Sequence, residues 1–105
     1  MKIPKEFKLV GQTIKVKFES RMAQKDDIQG AAHYRFNELH IQPNSNGHKR
    51  TREQIEETFC HELTHFILNS MEIMRDERVK MDEKFVGLFG SFLHQALSSF
   101  KGELK

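Results

Sequence analysis

The stretch that decides the fold is residues 51–74, TREQIEETFCHELTHFILNSMEIM. Thr51 and Gln54 match a capping box, in which each side chain bonds the backbone amide of the other residue at a helix start. Apolar residues then recur at helical spacing on one stripe, namely Ile55, Phe59, Leu63, Phe66, Ile67 and Met74. The stretch is therefore predicted to form one long helix, over about 52–73.

The middle of this helix carries His61-Glu62-Leu63-Thr64-His65. Residues four apart on a helix share a face, so both imidazoles can reach one ion. At about 100° per residue, His61 and His65 lie on the side away from the apolar stripe. This placement favours a cleft over a pair of core histidines.

The residue types suit a zinc site that activates water. Zinc binds neutral imidazole nitrogens, and a catalytic site keeps a position for water, whose pKa falls to about 7. Glu62 follows the first histidine, where it can take the proton of the water and later deliver it to a leaving amine. The alternative is a helix on which these three polar residues coincide by chance.

The residues before the helix alternate with a period of two. Residues 7–18, FKLVGQTIKVKF, are apolar at every second position around Gly11-Gln12, which predicts a hairpin. Residues 31–36 and 39–42 predict a second pair of strands, joined at Asn37-Glu38 and ended by Pro43. Residues 20–30 and 44–50 are expected to be loops.

A charged link over 75–81 precedes a second predicted helix, over about 83–100. Its apolar residues follow a helical spacing of three and four that predicts a core face; they are Phe85, Leu88, Phe89, Phe92, Leu93, Ala96, Leu97 and Phe100. Strands followed by helices predict an α+β fold. We expect a single domain over 1–105, with a short, mostly antiparallel N-terminal sheet packed on both helices.

The composition argues against several classes of protein. A formal charge of +2 is too near neutral to favour nucleic acid, and the lysines of the first quarter are read as solvated strand faces. Cys60 is the only cysteine, so no internal disulfide forms, and it is read as a small packing residue. The chain lacks a secretion-signal run and a membrane-length apolar run. We expect a soluble, cytoplasmic protein with no membrane partner.

Residues 58–67, TFCHELTHFI, resemble the extended helix signature of zinc metallopeptidases. That signature surrounds His-Glu-x-x-His with uncharged residues and places an apolar residue after the second histidine. The Gly and His of the metzincin extension are absent, because HFILNSMEI begins at His65. The chain is similar instead to the gluzincins, in the very small form found in bacteria and their phages.

The gluzincin resemblance implies a third ligand, a Glu on a second helix some 18–20 residues or more after the second histidine. Glu83 matches, with the apolar Val86 three residues later. Asp82 is the rival, although helix geometry places it over the apolar stripe, where it better suits an N-cap. Further alternatives are Asp76, Glu72, Glu77 or a histidine. Many gluzincins carry an acidic residue four after the ligand; Gly87 stands there, so the group that orients a histidine is unassigned.

The same resemblance implies hydrolysis of a peptide or protein substrate, with one zinc ion held by His61, His65 and Glu83. An edge strand, AAHYRF or LHIQ, would hold the substrate, and His33, Tyr34 or Arg35 is a candidate to polarise its carbonyl. His40, His48 and His94 are expected on the surface. The alternatives are a zincin-fold protein that binds zinc or a partner without turnover, a site blocked by the tail SSFKGELK, and a metal-free helix–sheet module.

Overall fold

The computed structural model describes residues 1–20, 28–45, 48–75 and 82–104. Four strands form a mixed sheet in the order β1-β2-β4-β3. They are β1 (Glu6–Leu9), β2 (Gln12–Phe18), β3 (Gly30–His33) and β4 (Glu38–Ile41). The pairs β1–β2 and β3–β4 are antiparallel, and β2–β4 is parallel. A small hairpin and two helices follow, namely β5 (Asn44–Ser45), β6 (His48–Lys49), α1 (Arg52–Arg75) and α2 (Glu83–Ser98). The α+β fold is confirmed.

The core lies between the sheet and α1. Ile14, Leu39 and Ile41 come from the sheet, and α1 contributes Phe59, Cys60 and Phe66. Phe7 of β1 packs edge-on against Phe59 and Phe66, with ring centroids 6.1 and 6.4 Å apart. Burying one such side chain is worth about 1.5–3 kcal/mol, so these contacts fix α1 across the sheet.

The start of α1 is held as the capping box predicts. The Thr51 amide donates to Gln54 Oε1 at 2.9 Å, and the Gln54 amide donates to Thr51 Oγ1 at 3.2 Å. The helix extends two residues beyond its predicted end. Met74, predicted on the core stripe, is 68% exposed, because that last turn extends away from the sheet core.

The first hairpin turns one residue earlier than predicted. Leu9 pairs with Gln12, so the two turn residues are Val10 and Gly11, with φ of 52° and 73°. Two positive φ angles suit the right-handed twist of a two-residue hairpin. The alternation of apolar residues still places Phe7 opposite Ile14, as the core requires.

The second pair of strands is shorter than predicted. β3 ends at His33, and residues 34–36, predicted as strand, form a 3₁₀ turn that closes on Asn37. Asn37 has φ 54°, the left-handed conformation that Asn tolerates. Residues 44–50, predicted as a plain loop, include the small hairpin β5–β6. Three parts of the predicted loops and link lie outside the described residues, namely residues 21–27, 46–47 and 76–81.

Helix α2 packs on α1 through a different side from the one predicted. Val86 and Gly90 are buried, and Leu93 and Leu97 pack against the core. The predicted core face is wrong for Phe85, Leu88, Phe89, Phe92 and Phe100, which are all exposed. By the helical period, the buried side is rotated about 70° from the middle of the predicted stripe.

Gly90 explains this rotation. A Cβ added at Gly90 would lie 3.0 Å from the Cα of His61 and 3.1 Å from its backbone nitrogen. Only the missing side chain lets the two helix backbones approach so closely. The close crossing at Gly90 therefore sets which side of α2 meets α1.

Candidate metal centre

Two helices bring three metal-binding groups together at one end of a groove. His61 and His65 lie one turn apart on α1, and Glu83 is the first residue of α2. His61 Nε2 lies 3.1 Å from Glu83 Oε2, and His65 Nε2 lies 2.8 Å from Glu83 Oε1. One ligand atom from each residue lies within 4.8 Å of the others.

The three donors fit a zinc ion chemically. Two imidazole nitrogens and one carboxylate oxygen are a ligand set of catalytic zinc sites that keep a fourth position open. Binding requires neutral imidazole, and burial lowers the pKa of His65 below its ordinary value, which the Glu83 carboxylate only partly offsets. Nε2 of both histidines points toward Glu83, so one ion can replace the direct contacts.

Two of the rival third ligands, Asp82 and Glu72, are placed elsewhere. The Asp82 side chain accepts a hydrogen bond from the Lys84 amide at 2.9 Å, which makes it the N-cap of α2, as its position predicts. Glu72 does not belong to the cluster that the described residues form. Asp76 and Glu77 lie outside the described residues. Among the described acidic residues, Glu83 alone joins the two histidines.

Gly87, the position at which an acidic residue was expected to orient a histidine, has no side chain that could do so. His65 Nδ1 is buried and has no hydrogen-bond partner among the described residues. A Cβ added at Gly87 would meet nothing within 4 Å, so this position leaves space where many gluzincins have a carboxylate. Outer-shell hydrogen bonds raise metal affinity, and the described part of the chain provides none at this nitrogen.

Glu62 is buried beside the two histidines, with 7% of its surface exposed. Burial, and then the negative charge of Glu83, raise the pKa of the Glu62 carboxyl to about 7. The start of β3 packs on this carboxylate: a Cβ at Gly30 would lie 3.0 Å from Glu62 Oε2 and 2.5 Å from the methyl group of Thr58. Gly30 thus belongs to the groove lining, and no pattern in the sequence indicated this.

The groove has a volume of about 430 Å³ and is lined by residues from β3, α1, α2 and the segments between them. Glu57, Glu62 and Glu83 make its lining acidic. β3 forms one edge of the four-stranded sheet, and β4 is paired on both sides. The prediction that LHIQ could hold a substrate strand is therefore wrong, because β4 has no free edge, whereas AAHYRF begins on the edge strand.

Arg50 was also missed by the sequence analysis. It is buried in the groove lining and donates to the carbonyls of Gln29, Gln42 and Gln54 and to Thr58 Oγ1. These bonds tie the segments before β3 and after β4 to the start of α1. Its position just before the capping residue Thr51 was the only signal in the sequence.

The three candidates for polarising a carbonyl lie outside the groove lining. His33 is exposed and packs on the His40 ring, 4.3 Å away, and Arg35 lies over the Phe36 ring. Tyr34 packs edge-on against Phe66. Burial, followed by the charges of Glu62, Glu83 and Glu72, raises the pKa of Tyr34 to about 12. Tyr34 is therefore the one of the three that is electrostatically coupled to the site.

Two of the remaining histidines are less exposed than predicted. His94 bonds Glu56 at 2.9 Å and is largely buried at the contact between α2 and α1. His40 is half-buried and bonds Glu38 at 2.9 Å. His48 is exposed, as predicted. The carboxylate that bonds His94 is 38 positions away in the chain, where no period reveals it, whereas Glu38 and His40 share one face of β4.

Cys60 and the tail lie outside the groove lining. Cys60 is fully buried in the core, where burial and the charges of Glu56 and Glu57 raise the pKa of its thiol to about 11. Residues 99–104 are all exposed and are not part of the groove lining. The described tail therefore leaves the groove uncovered. Neither described helix has an apolar stretch long enough to cross a bilayer.

Comparisons with protein-family models, with curated proteins and with solved structures give no match to this chain. The fold and site define a small α+β protein with a two-histidine, one-glutamate cluster.

Proposed function

We propose that this protein is a zinc-dependent peptidase of the gluzincin type. The observation that supports this most strongly is the meeting of Glu83 with both His61 and His65, at 2.8–3.1 Å, beside a buried Glu62. Two histidines and one glutamate are one of the ligand sets that catalytic zinc sites use, and an adjacent carboxylate can accept the proton of the zinc-activated water. The cofactor is one zinc ion.

The groove residues have two separate roles in the proposed reaction, metal binding and proton transfer. His61, His65 and Glu83 hold the ion, which when bound supplies a Lewis acid and lowers the pKa of a water ligand to about 7. Glu62 takes the proton of the attacking water on its carboxylate and returns it to the nitrogen of the leaving amine. Gly30 packs closely against Glu62, which limits the movement of the carboxylate during both transfers.

The edge strand β3 supports a peptide or protein as the substrate. β3 begins at Gly30, against Glu62, and pairs with β4 on its inner side. An extended peptide can add to such an edge by main-chain hydrogen bonds. Glu57, Glu62 and Glu83 outnumber the one cation, Arg50, among the charged residues of the described groove lining, which favours binding of a metal cation.

The second candidate is a zincin-fold protein that binds zinc or a partner without turnover. The observation that favours it is that His33, Tyr34 and Arg35 lie outside the groove lining. A peptidase needs a donor to stabilise the oxyanion, and losing one such donor costs about 10²–10³ in turnover rate. Zinc binding with no detectable turnover is the expected behaviour of that candidate.

The Glu62→Ala variant separates the two candidates. We expect the zinc-loaded protein to cleave members of a random peptide library, and Glu62→Ala at equal zinc content to cleave at least about 100-fold more slowly. Glu57→Ala, which removes another groove carboxylate, is the matched control and should retain cleavage. Equal cleavage rates for the wild type and Glu62→Ala would show that Glu62 is not the general base. Zinc binding without any cleavage by the wild type would favour the binding-only candidate.

A further inference from the structure

The outer side of α2 exposes large apolar side chains that no described part of the chain covers. Phe85, Leu88, Phe89 and Phe92 are 50%, 59%, 46% and 60% exposed. We refer to these four residues as the outer α2 face. A soluble domain rarely leaves so many large apolar groups together on one helix without a binding partner.

The outer α2 face is separate from the side of the helix that carries the site. At about 100° per residue, the four residues span about 100° of the helix and are centred some 130° from the side buried against α1. Val86 and Gly90 lie on that buried side, and Glu83 lies next to it. The outer α2 face can therefore meet another protein without touching the proposed zinc ligands.

We propose that two copies of this chain pair through the outer α2 face, with the two helices antiparallel. A two-fold contact requires a surface that complements itself, so that residue i meets residue j and residue j meets residue i. The spacing 85, 88, 89, 92 is the same read in either direction. In an antiparallel pair, Phe85 of each copy meets Phe92 of the other, and Leu88 and Phe89 pack around the axis.

The charges around the face are compatible with this pairing. The four residues include no charged group, so no ion is buried when two copies meet. Lys84 flanks the face at the start of α2, and the pairing of Phe85 with Phe92 brings it level with Leu93 of the other copy. The two lysines are then about 13 Å apart along the helix pair. This separation exceeds the distance of about 8 Å over which salt screens exposed charges, so they repel each other little.

The exposed area is that of a weak dimer. Half-exposed Phe and Leu side chains offer roughly 100 Å² each, or about 400–500 Å² per copy, compared with about 800 Å² per partner in a standard interface. Interfaces below the standard size are typical of weak and transient pairs, so we expect a dissociation constant in the micromolar range. A membrane surface is the less favoured occupant, because helices that lie on lipid are rich in Lys and Arg, and α2 has only Lys84.

Sedimentation velocity across about 1–500 µM tests the pairing, the upper end lying well above the expected dissociation constant. We expect the mass to rise from 12.4 kDa toward twice that value. Phe89→Lys and Leu88→Lys should each keep the protein monomeric over this range. Phe36→Lys is the matched control, because Phe36 is 69% exposed on the 3₁₀ turn, and it should dimerise like the wild type.

The antiparallel register has its own test. We expect the Phe85→Cys and Phe92→Cys variants to form a disulfide-linked dimer when mixed under oxidising conditions, and each variant alone to form far less. Cys60 is buried and should not take part.

Several results would overturn the proposal. The first is that the wild type remains monomeric at about 500 µM. The second is that Phe89→Lys and Leu88→Lys still dimerise. The third is that Phe85→Cys forms a disulfide with a second copy of itself as readily as with Phe92→Cys. Association with vesicles by a protein that is monomeric in solution would assign the face to lipid instead. None of these outcomes depends on zinc or on cleavage, so they are independent of the proposed function.

Discussion

Glu83 is the residue that joins the two helices at the proposed metal centre. It is the only one of the three donors that α2 supplies, and its carboxylate contacts both imidazoles of α1. Its side chain is 71% exposed, so little packing holds it apart from these contacts. Metal binding should therefore depend on its charge and oxygen atoms more than on its burial.

We expect Glu83→Gln to weaken zinc binding by about 100-fold or more, because an amide oxygen is a poorer ligand than a carboxylate. Asp82→Asn is the matched control: Asn caps a helix as well as Asp does, so zinc affinity and folding should both be retained. Competition with a chelator of known affinity measures the effect. A larger loss in Asp82→Asn than in Glu83→Gln would assign the third ligand to Asp82.

At the scale of single residues, the sequence predicted local relations well. The capping box at Thr51 and the cap at Asp82 both form, since each depends on residues two or three positions apart. Gly30 and Arg50 were missed because their partners, Glu62 and Gln29, are distant in the chain. No periodicity reports which distant segment approaches a small or charged residue.

At the scale of elements, the crossing of α1 and α2 decides the geometry of the site. Gly90 lies against the backbone of His61, so the distance between the helices and the position of His61 are set at the same point. Gly87 lies one turn earlier on α2, and a Cβ there would have open space. The two glycines form a matched pair in one helix.

We expect Gly90→Ala to lower the free energy of unfolding by about 1–3 kcal/mol, because the new methyl group would overlap the His61 backbone. Gly87→Ala should instead raise it by up to about 1 kcal/mol, through higher helix propensity. Urea unfolding of both variants and the wild type measures the changes. Equal stabilisation by the two substitutions would show that the helices do not cross at Gly90.

The rotation of α2 could not be predicted from its apolar pattern. Apolar residues occupy about half of its circumference, so the pattern leaves open which part is covered. The outer α2 face has the larger side chains, but α1 packs on the other side, because Gly90 lets the two helix backbones approach more closely there. A large apolar face indicated burial correctly for Phe59 and Phe66 of α1, where the sheet lies opposite.

At the scale of the whole molecule, a buried carboxylate connects three parts of the chain. Glu56 of α1 bonds His94 of α2 and Arg52, both at 2.9 Å, and lies 3.6 Å from the amino group of Met1. These partners, first of all the hydrogen bond to His94, lower the pKa of Glu56 below its ordinary value of 4.5. The fold therefore favours the ionised form.

This network makes stability depend on pH in a defined direction. A carboxyl whose pKa is lower in the folded state adds stability above its ordinary pKa, and that stability is lost as the pH falls through the lowered value. We expect Glu56→Gln to lower the free energy of unfolding at pH 7 by about 1–3 kcal/mol. The difference in the free energy of unfolding between the wild type and Glu56→Gln should become smaller below about pH 4.5.

Chemical unfolding at a series of pH values from 7 to 3 measures this narrowing. Glu57→Gln is the control, because Glu57 is exposed on the next position of the same helix. The free energy of unfolding of Glu57→Gln should equal that of the wild type at each pH. A constant gap between the wild type and Glu56→Gln at every pH would contradict the role of the ionised carboxylate.

The distribution of phenylalanine also belongs to the whole molecule. Of nine Phe, Phe59 and Phe66 are buried, and six are exposed. The apolar stripes of both helices predicted that most of these Phe side chains are buried, but α2 is covered by α1 on one side only, and no other described part of the chain covers its Phe residues. The remaining apolar surface is concentrated on the outer α2 face, where we infer that a second copy binds.

The zinc site is tested most directly by anomalous X-ray scattering at the zinc absorption edge, from crystals grown with excess zinc. We expect one peak per chain, about 2.0–2.2 Å from Nε2 of His61, Nε2 of His65 and a carboxylate oxygen of Glu83. The absence of a peak there, with both imidazoles still bonded directly to Glu83, would contradict the proposed metal centre and the peptidase function that depends on it.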